Sequence, residues 1–352
     1  MADRPIWWSE ELTILEESLT RFFETEYLPH EAEWERAHAV PRDFWRKAGE
    51  AGILGISLPE EHGGSGGSIH HDAVLFDVLG RLGITGFGIH VHLIAAHYVM
   101  AYGSAEQKAR WLPKLASGEA IGAIAMTEPG TGSDLAGMQT TAKRDGDHYV
   151  LNGAKTFITG GVLADRVIVC ARTSPPLESN RRFGISLFCV DTKSQGWAVG
   201  RKLDKLGLRT SDTAELSFTD VMVPAADLLG EENEGFSYLG QNLPQERLGI
   251  AYGAYAQAAA AIRFTQAYVE ERKVFGASVA SFQNTKFELA ACQSEVDAAQ
   301  AVCDRALEAH DAGELTAVDA ASAKLFCTEV AGRVIDRCLQ LHGGYGYMNE
   351  DP

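Results

Sequence analysis

Apolar residues near the start of the chain recur every three or four positions. Leu12, Leu15, Leu19 and Phe22 follow this spacing, and Ser9 precedes them in front of two glutamates. A serine here favours a helix start because its hydroxyl accepts a bond from an otherwise unpaired backbone N–H. The spacing therefore predicts an amphipathic helix from Ser9 to about residue 27. Comparable patterns predict further helices over 41–48, 72–82, 89–100 and 105–115.

The pattern changes after Gly118, where the apolar runs become short and β-branched. Runs at 167–169 and 185–188 and an alternating segment at 214–218 are separated by glycine, asparagine and aspartate. Such runs are typical of strands that pack against a core. We therefore expect a compact middle domain built as a β-barrel or a β-sandwich.

The last third returns to helical periodicity over long segments. Helices are predicted over 244–272, 283–312 and 315–342, each about 40 Å long at 1.5 Å per residue. Three helices of this length favour a bundle. The expected fold class is α+β, with a helical domain at 1–119, a β-domain at 120–230 and a helical bundle at 231–352.

Charge and length restrict the function further. The chain has 352 residues, more than a single core usually holds, and its 48 acidic against 31 basic residues give a net charge of −17. This balance argues against a nucleic acid or an anionic membrane as partner. Histidines interrupt the most apolar segment, and Met1–Trp8 lacks a targeting pattern, so we expect no membrane span and a cytoplasmic location.

The six cysteines form no CxxC pair, which favours free thiols in a reducing compartment. The histidines, including the pairs His70-His71 and His90/His92, have no metal-site spacing with other ligands. We interpret them as structural or exposed and expect no metal site. No strand followed by GxGxxG and a helix occurs either, which disfavours a Rossmann nucleotide site.

Two glycine-rich runs carry candidate binding chemistry. The first, TEPGTGSD at 127–134, combines backbone that a ligand can approach with hydroxyl groups, although a tight turn would explain it equally well. The second, NGAKTFITGG at 152–161, opens with Asn152-Gly153, a hairpin signal, and places Phe157 and Thr159 on one side of the next strand. The two runs together could enclose one planar ligand.

A third candidate is the carboxylate of Glu246 in the run LPQERL at 243–248. Taken alone, Glu246 is more simply a glutamate favoured by the dipole in the first turn of a helix. By the same reasoning, Arg272-Lys273 is a solvated helix end and the glycine-rich run at 342–347 is a helix stop.

These runs, with RKLDKLGLR at 201–209, ERKVFG at 271–276, Phe282-Gln283 and QLHGGYG at 340–346, resemble the flavin-dependent acyl-CoA dehydrogenase family. The match extends in register over nearly the whole chain. Within the family, the LPQERL run is most similar to the long-chain and branched-chain-type members. The resemblance implies FAD as cofactor and dehydrogenation of an acyl-CoA thioester to a trans-2-enoyl-CoA.

The resemblance also implies a role for each matching residue. Residues near the flavin ring would be Met126, Thr127, Gly132, Ser133, Phe157 and Thr159. Residues that hold the pyrophosphate and adenosine of an FAD whose ring lies in another subunit would be Arg272, Phe275, Gln283, Gln340, Gly343 and Gly344. Ser133, Phe236, Leu243 and Arg247 would contact the substrate. Binding would thus need at least a dimer, and the family commonly forms a dimer of dimers.

Glu246 matches the catalytic base of the long-chain and isovaleryl-type branches, whereas many other members carry the base in a C-terminal Tyr-Glu-Gly-Thr segment. Because the sequence reaches Asp351-Pro352 without that segment, we expect the domain to lack the family's final part and Glu246 to be the available carboxylate. An electron-transferring flavoprotein is the implied electron acceptor. An acyl-CoA oxidase, a flavin monooxygenase or a non-catalytic acyl-CoA or flavin-binding subunit are the alternatives.

Overall fold

The computed structural model describes residues 4–84 and 87–348, so the end of the chain at Asp351-Pro352 lies outside the described residues. Helices occupy both ends of the chain and strands occupy the middle, which confirms the predicted order of helices, β-sheet and helices. The first helices are α1 Glu10–Glu26, α2 Glu31–Ala37, α3 Arg42–Glu50, α4 Ile69–Arg81, α5 Ile89–Tyr102 and α6 Ala105–Ala116. The last ones are α7 Gly235–Glu271, α8 Gln283–Asp311 and α9 Ala317–His342.

The described residues divide into two compact units, each made of distant segments. Residues 25–68 and 87–242 form the sheet unit, and residues 4–24, 69–84 and 243–348 form the helical unit. The domain boundaries expected from the sequence divide the chain differently, and they remain a proposal.

Eight strands of the described chain form one mixed sheet in the sheet unit. They are β1 Gly122–Ala125, β2 Thr141–Asp145, β3 His148–Thr159, β4 Arg166–Arg172, β5 Ile185–Asp191, β6 Trp197–Lys202, β7 Thr213–Pro224 and β8 Leu228–Leu229. The strand order is β6-β7-β3-β2-β4-β5-β8, and β1 pairs in parallel with β4. β4 and β5 are buried along almost their whole length, which is why their sequences are continuous apolar runs.

The hairpin predicted at Asn152-Gly153 is wrong, because both residues lie inside β3. The turn between β2 and β3 is at Gly146 instead, where Asp145 pairs with His148. Gly153 lies at a register shift against β7, and a Cβ there would come within 2.5 Å of the Thr140 hydroxyl. The glycine is therefore required by close packing of the backbone and not by a turn.

A buried histidine fixes the start of β1. His92, in α5, is fully buried; its Nδ1 accepts a bond of 3.1 Å from the Gly122 N–H, and its Nε2 is 3.1 Å from the Leu115 carbonyl. Because a backbone N–H only donates, Nδ1 is the acceptor and Nε2 carries the hydrogen. Burial lowers the pKa of His92 to about 4, so the ring is neutral at physiological pH and structural, as the sequence predicted.

The helical unit buries its apolar seam between α7, α8 and α9. The helix predicted to begin at Pro244 begins at Gly235 instead, and Pro244 lies inside α7. A proline costs the helix one N–H and crowds the carbonyl four residues before it, so the sequence rule placed the boundary too late. Glu246 is consequently well inside the helix and not in its first turn.

Candidate active site

A hydrogen bond joins the two glycine-rich runs within the sheet unit. The Thr156 N–H donates to the Thr127 carbonyl at 2.9 Å. The link connects the segment that follows β1 with the end of β3. The structure thus brings together the two stretches that the sequence proposed as one binding surface.

A buried ion pair stabilises the junction between the two glycine-rich runs. The Lys155 ammonium donates to Glu128 Oε1 at 2.9 Å and to the Met126 carbonyl at 3.0 Å. The same carboxylate accepts bonds from the backbone N–H groups of Gln139 at 2.6 Å and Thr140 at 2.9 Å. The Lys155 side chain is fully buried and Glu128 is 5% exposed, so each charge depends on the other for solvation.

The electrostatics of the pair follow from its burial. Burial opposes ionisation of Glu128, but the Lys155 ammonium and the donors from Gln139 and Thr140 outweigh it and hold the pKa of Glu128 below its usual value. Burial in turn lowers the pKa of Lys155. Sequence reasoning missed both residues, although a single lysine between the apolar positions of a strand is a signal that it needs a buried partner.

Phe157, in the second glycine-rich run, combines a rare backbone conformation with an exposed side chain. Its φ is +59°, a left-handed conformation that costs a bulky residue free energy. The pairing of β3 with β7 shifts register between Lys155 and Ile158, and the Phe157 ring is 68% exposed. Thr159 is half-buried on the same strand. An exposed aromatic ring on a strained backbone, two residues before the Thr159 hydroxyl, fits contact with a planar ring system.

The adjoining turn presents backbone to the same region. Glu128 and Thr131 exchange backbone hydrogen bonds of 2.9 and 3.0 Å across a tight turn. The tight-turn reading of the run is therefore correct, and it is compatible with binding. Gly132 and Ser133 follow the turn and are exposed, Met126 and Thr127 are half-buried, and a Cβ at Gly132 would meet no atom within 4 Å.

A second group of candidate residues belongs to the helical unit. After α7, strands β9 Lys273–Val274 and β10 Ala277–Ser278 form a small hairpin. Its two turn residues, Phe275 and Gly276, have φ of +52° and +78°, the values of a type I′ turn. Phe275 is 98% exposed, and Gln283 follows as the first residue of α8.

The end of α9 forms the remainder of this group. The Gly343 N–H donates to the Gln340 carbonyl at 3.1 Å, and Gly343 has a φ of +63°. His342 between them is buried, and the Tyr268 ring stacks on it at 4.4 Å. The glycine-rich run does end the helix, while Gln340, Gly343 and Gly344 themselves stay exposed.

Candidate catalytic and substrate residues lie along α7. Glu246 is 8% exposed, whereas Leu243 and Arg247 are half-buried. In the sheet unit, Phe236 is half-buried and the Arg182 guanidinium lies 5.0 Å from its ring centre. A largely buried carboxylate inside a helix is available as a base in surroundings with little water.

The chemistry of the two groups of candidate residues fits FAD. The surface around Phe157 offers an aromatic face, hydroxyls and open backbone, as an isoalloxazine ring requires. The hairpin and the end of α9 offer an exposed cation at Arg272, an exposed aromatic at Phe275 and exposed amides, as a nucleotide requires. Across 4–84 and 87–348, no group of three or more metal-ligating side chains could hold a metal ion.

No helix in the described ranges is both long and apolar enough to cross a bilayer.

Comparison with known proteins identifies three consecutive domains. The Acyl-CoA dehydrogenase N-terminal domain matches residues 9–119, the middle domain matches 123–221 and the C-terminal domain matches 233–352.

Individual relatives agree with this assignment. The mitochondrial long-chain specific acyl-CoA dehydrogenase of Sus scrofa is 46% identical over 345 residues, covering 98% of this chain and 80% of that protein. The crystal structure of acyl-CoA dehydrogenase from Geobacillus kaustophilus superposes with a TM-score of 0.95 at 43% identity, covering 99% of this chain and 91% of that one. A glutaryl-CoA dehydrogenase from Mycobacterium smegmatis in complex with FADH2 gives 0.90 at 31% identity, covering 98% and 87%.

The resemblance drawn from the sequence is thus confirmed, and dehydrogenation is supported over the oxidase, monooxygenase and binding-subunit alternatives. The chain belongs to the acyl-CoA dehydrogenase family, the FAD-dependent oxidoreductases that dehydrogenate acyl-CoA thioesters.

Proposed function

We propose that Glu246 is the base that removes the α-proton of an acyl-CoA thioester. The burial of this carboxylate inside α7 carries the proposal. An α-proton of a thioester is weakly acidic, so its removal needs a carboxylate that is poorly solvated and held in place. FAD, when bound, would supply the acceptor for the hydride that leaves the substrate β-carbon, so that the product is a trans-2-enoyl thioester.

The other residues position the reactants. Ser133, Phe236, Leu243 and Arg247 line the acyl-CoA, and the exposed Ser133 hydroxyl and half-buried Phe236 ring support this assignment. Ring contacts with FAD come from Met126, Thr127, Gly132, Ser133, Phe157 and Thr159. The ion pair of Lys155 and Glu128 keeps Met126 and the turn in place, so these contacts are preformed.

The nucleotide half of FAD binds Arg272, Phe275, Gln283, Gln340, Gly343 and Gly344 of a partner subunit in a dimer of dimers. Exposed apolar side chains on the helical unit support assembly, because burying them against a second copy would remove apolar surface from water. Phe275 is 98% exposed, Phe287 63%, Leu325 60% and Leu339 49%. The electrons leave to an electron-transferring flavoprotein, and the protein acts in the cytoplasm.

Anaerobic reduction of the flavin by acyl-CoA tests the assignment of the base. Glu246→Gln keeps the shape and removes the proton acceptor, so bleaching of the FAD absorbance slows by about 10²- to 10⁴-fold while FAD and acyl-CoA still bind. Glu271→Gln, at the exposed end of α7, is the matched control and bleaches at the normal rate.

Bleaching at the normal rate in Glu246→Gln would assign the base elsewhere without removing the family activity. A panel of straight, branched and ring-bearing acyl-CoA esters in the same assay identifies the preferred acyl group.

A further inference from the structure

Four cysteines face the seam between α8 and α9 in two matching pairs. Cys292 and Cys303 lie on α8, and Cys327 and Cys338 lie on α9, 11 residues apart in each helix (303 − 292 and 338 − 327). Eleven residues are about three turns, so each helix presents both thiols on one face. All four side chains are buried, with exposures of 0 to 3%.

The thiols meet across the seam in antiparallel register. Cys303 Sγ lies 3.4 Å from Cys327 Sγ, and Cys327 Sγ lies 3.6 Å from the Ala299 carbonyl. Cys292 and Cys338 occupy the matching positions 11 residues further along the two helices. Two small residues, Ala299 and Ala323, are buried in the same apolar cluster as the four thiols.

We propose that Cys303 and Cys327 form a reversible disulfide when the protein meets hydrogen peroxide. The Cys327 thiolate attacks one peroxide oxygen, the O–O bond breaks and the departing hydroxide takes up the thiol proton to become water. The Cys303 sulfur then attacks the Cys327 sulfenic acid, the S–O bond breaks and a second water leaves with the Cys303 proton. Two thiols are oxidised by two electrons and one peroxide is reduced to two waters.

The surroundings of the two sulfurs assign these roles. The hydrogen bond between the two sulfurs lowers the pKa of Cys327, and the same bond, together with burial, raises the pKa of Cys303 well above its usual value. The thiolate is the nucleophile in this chemistry, so Cys327 reacts first. A disulfide needs the sulfurs to approach to about 2.05 Å, a movement of little more than 1 Å.

The second pair is a control built into the same seam. Burial raises the pKa of Cys292, and it raises that of Cys338 to about 11. In the sheet unit, burial raises the pKa of Cys189 to about 12. These thiols hold less thiolate at neutral pH, so they react more slowly with peroxide than Cys327 does.

Peptide mapping of the holoenzyme tests the proposal. The protein is treated with millimolar hydrogen peroxide, quenched with N-ethylmaleimide in denaturant, digested without reductant and measured by mass spectrometry. We expect a linked peptide pair containing Cys303 and Cys327 that is two hydrogens lighter than its parts and is released by dithiothreitol. It forms about tenfold faster than a link between Cys292 and Cys338.

Variants separate the two steps. Cys303→Ser leaves Cys327 to accumulate as a sulfenic acid that dimedone traps, and Cys338→Ser leaves the Cys303–Cys327 link unaffected. The oxidised wild type unfolds at a higher temperature, because the link closes a loop between positions 24 residues apart. Recovery of Cys327 as the maleimide adduct after peroxide treatment, or earlier linkage of Cys292 to Cys338, would overturn the proposal.

Discussion

The two groups of proposed FAD contacts are built in opposite ways. The segments proposed to contact the flavin ring lie in the sheet unit. They are held by the buried Lys155–Glu128 ion pair and by His92, which fixes the start of β1, and they include the strained backbone of Phe157. The nucleotide segments of the helical unit are exposed, and their side chains make few contacts within the described chain. Arg272 lies 5.5 Å from the Tyr345 ring centre, and Phe275 lies 6.5 Å from the Phe282 ring centre.

Because of this difference, we expect variants in one region to change the stability of the protein and variants in the other to change its affinity for FAD. The Lys155–Glu128 pair and His92 support the segments proposed to contact the flavin ring and also stabilise the sheet unit, so we expect their loss to affect folding before it affects FAD binding. The residues proposed to contact the nucleotide are exposed and make few contacts of their own, so we expect their removal to affect mainly the affinity for FAD. The comparison predicts a different readout for variants in each region.

The largest effect is expected at the buried ion pair. Lys155→Met leaves the Glu128 carboxylate without its cation, and breaking such a pair lowers the free energy of unfolding by about 3–5 kcal/mol. Urea unfolding at pH 7 measures it. The contribution of Glu128 is retained at pH 7 because its pKa is lowered in the folded state, and it is lost as the pH falls through that lowered pKa.

The double variant Lys155→Met/Glu128→Gln is the matched control. It removes both charges, so we expect it to recover a large part of the lost stability while the ring surface loses its anchor at Met126. A single variant that unfolds within about 1 kcal/mol of wild type would show that the ion pair does not hold this region together.

A smaller effect is expected at His92, which anchors β1. Its folded pKa of about 4 lies below the usual 6.5, so the unfolded chain binds a proton that the folded chain refuses. Stability is complete above pH 6.5 and falls by about 3 kcal/mol towards pH 4. In His92→Gln this part of the pH dependence disappears. An unchanged slope between pH 7 and pH 4 in the variant would contradict the assignment.

The sequence predicted the order of elements and most helix bounds because these depend on local spacing. That Phe157 and Thr159 face one side of a strand stays a prediction, because the register shift between Lys155 and Ile158 interrupts the alternation on which it was based. The sequence could not show the ion pair of Lys155 and Glu128, because the two residues are distant in sequence and meet only through the sheet. The sequence analysis also misplaced the start of α7 at Pro244 and interpreted Gly153 as a turn. A proline inside a helix and a glycine required by close packing in a strand cannot be recognised from the residue type alone.

The smallest change in stability, and the clearest change in binding, is expected at Arg272. Arg272→Ala removes an exposed cation, so the free energy of unfolding changes by less than about 0.5 kcal/mol. A hydrogen bond to a phosphate is worth about 1.5–3 kcal/mol, so the FAD dissociation constant rises about tenfold or more. Lys273→Ala removes the same charge from the neighbouring exposed position and serves as control. Equal weakening in both variants would attribute the effect to net charge, and the nucleotide region would then lack a specific phosphate contact at Arg272.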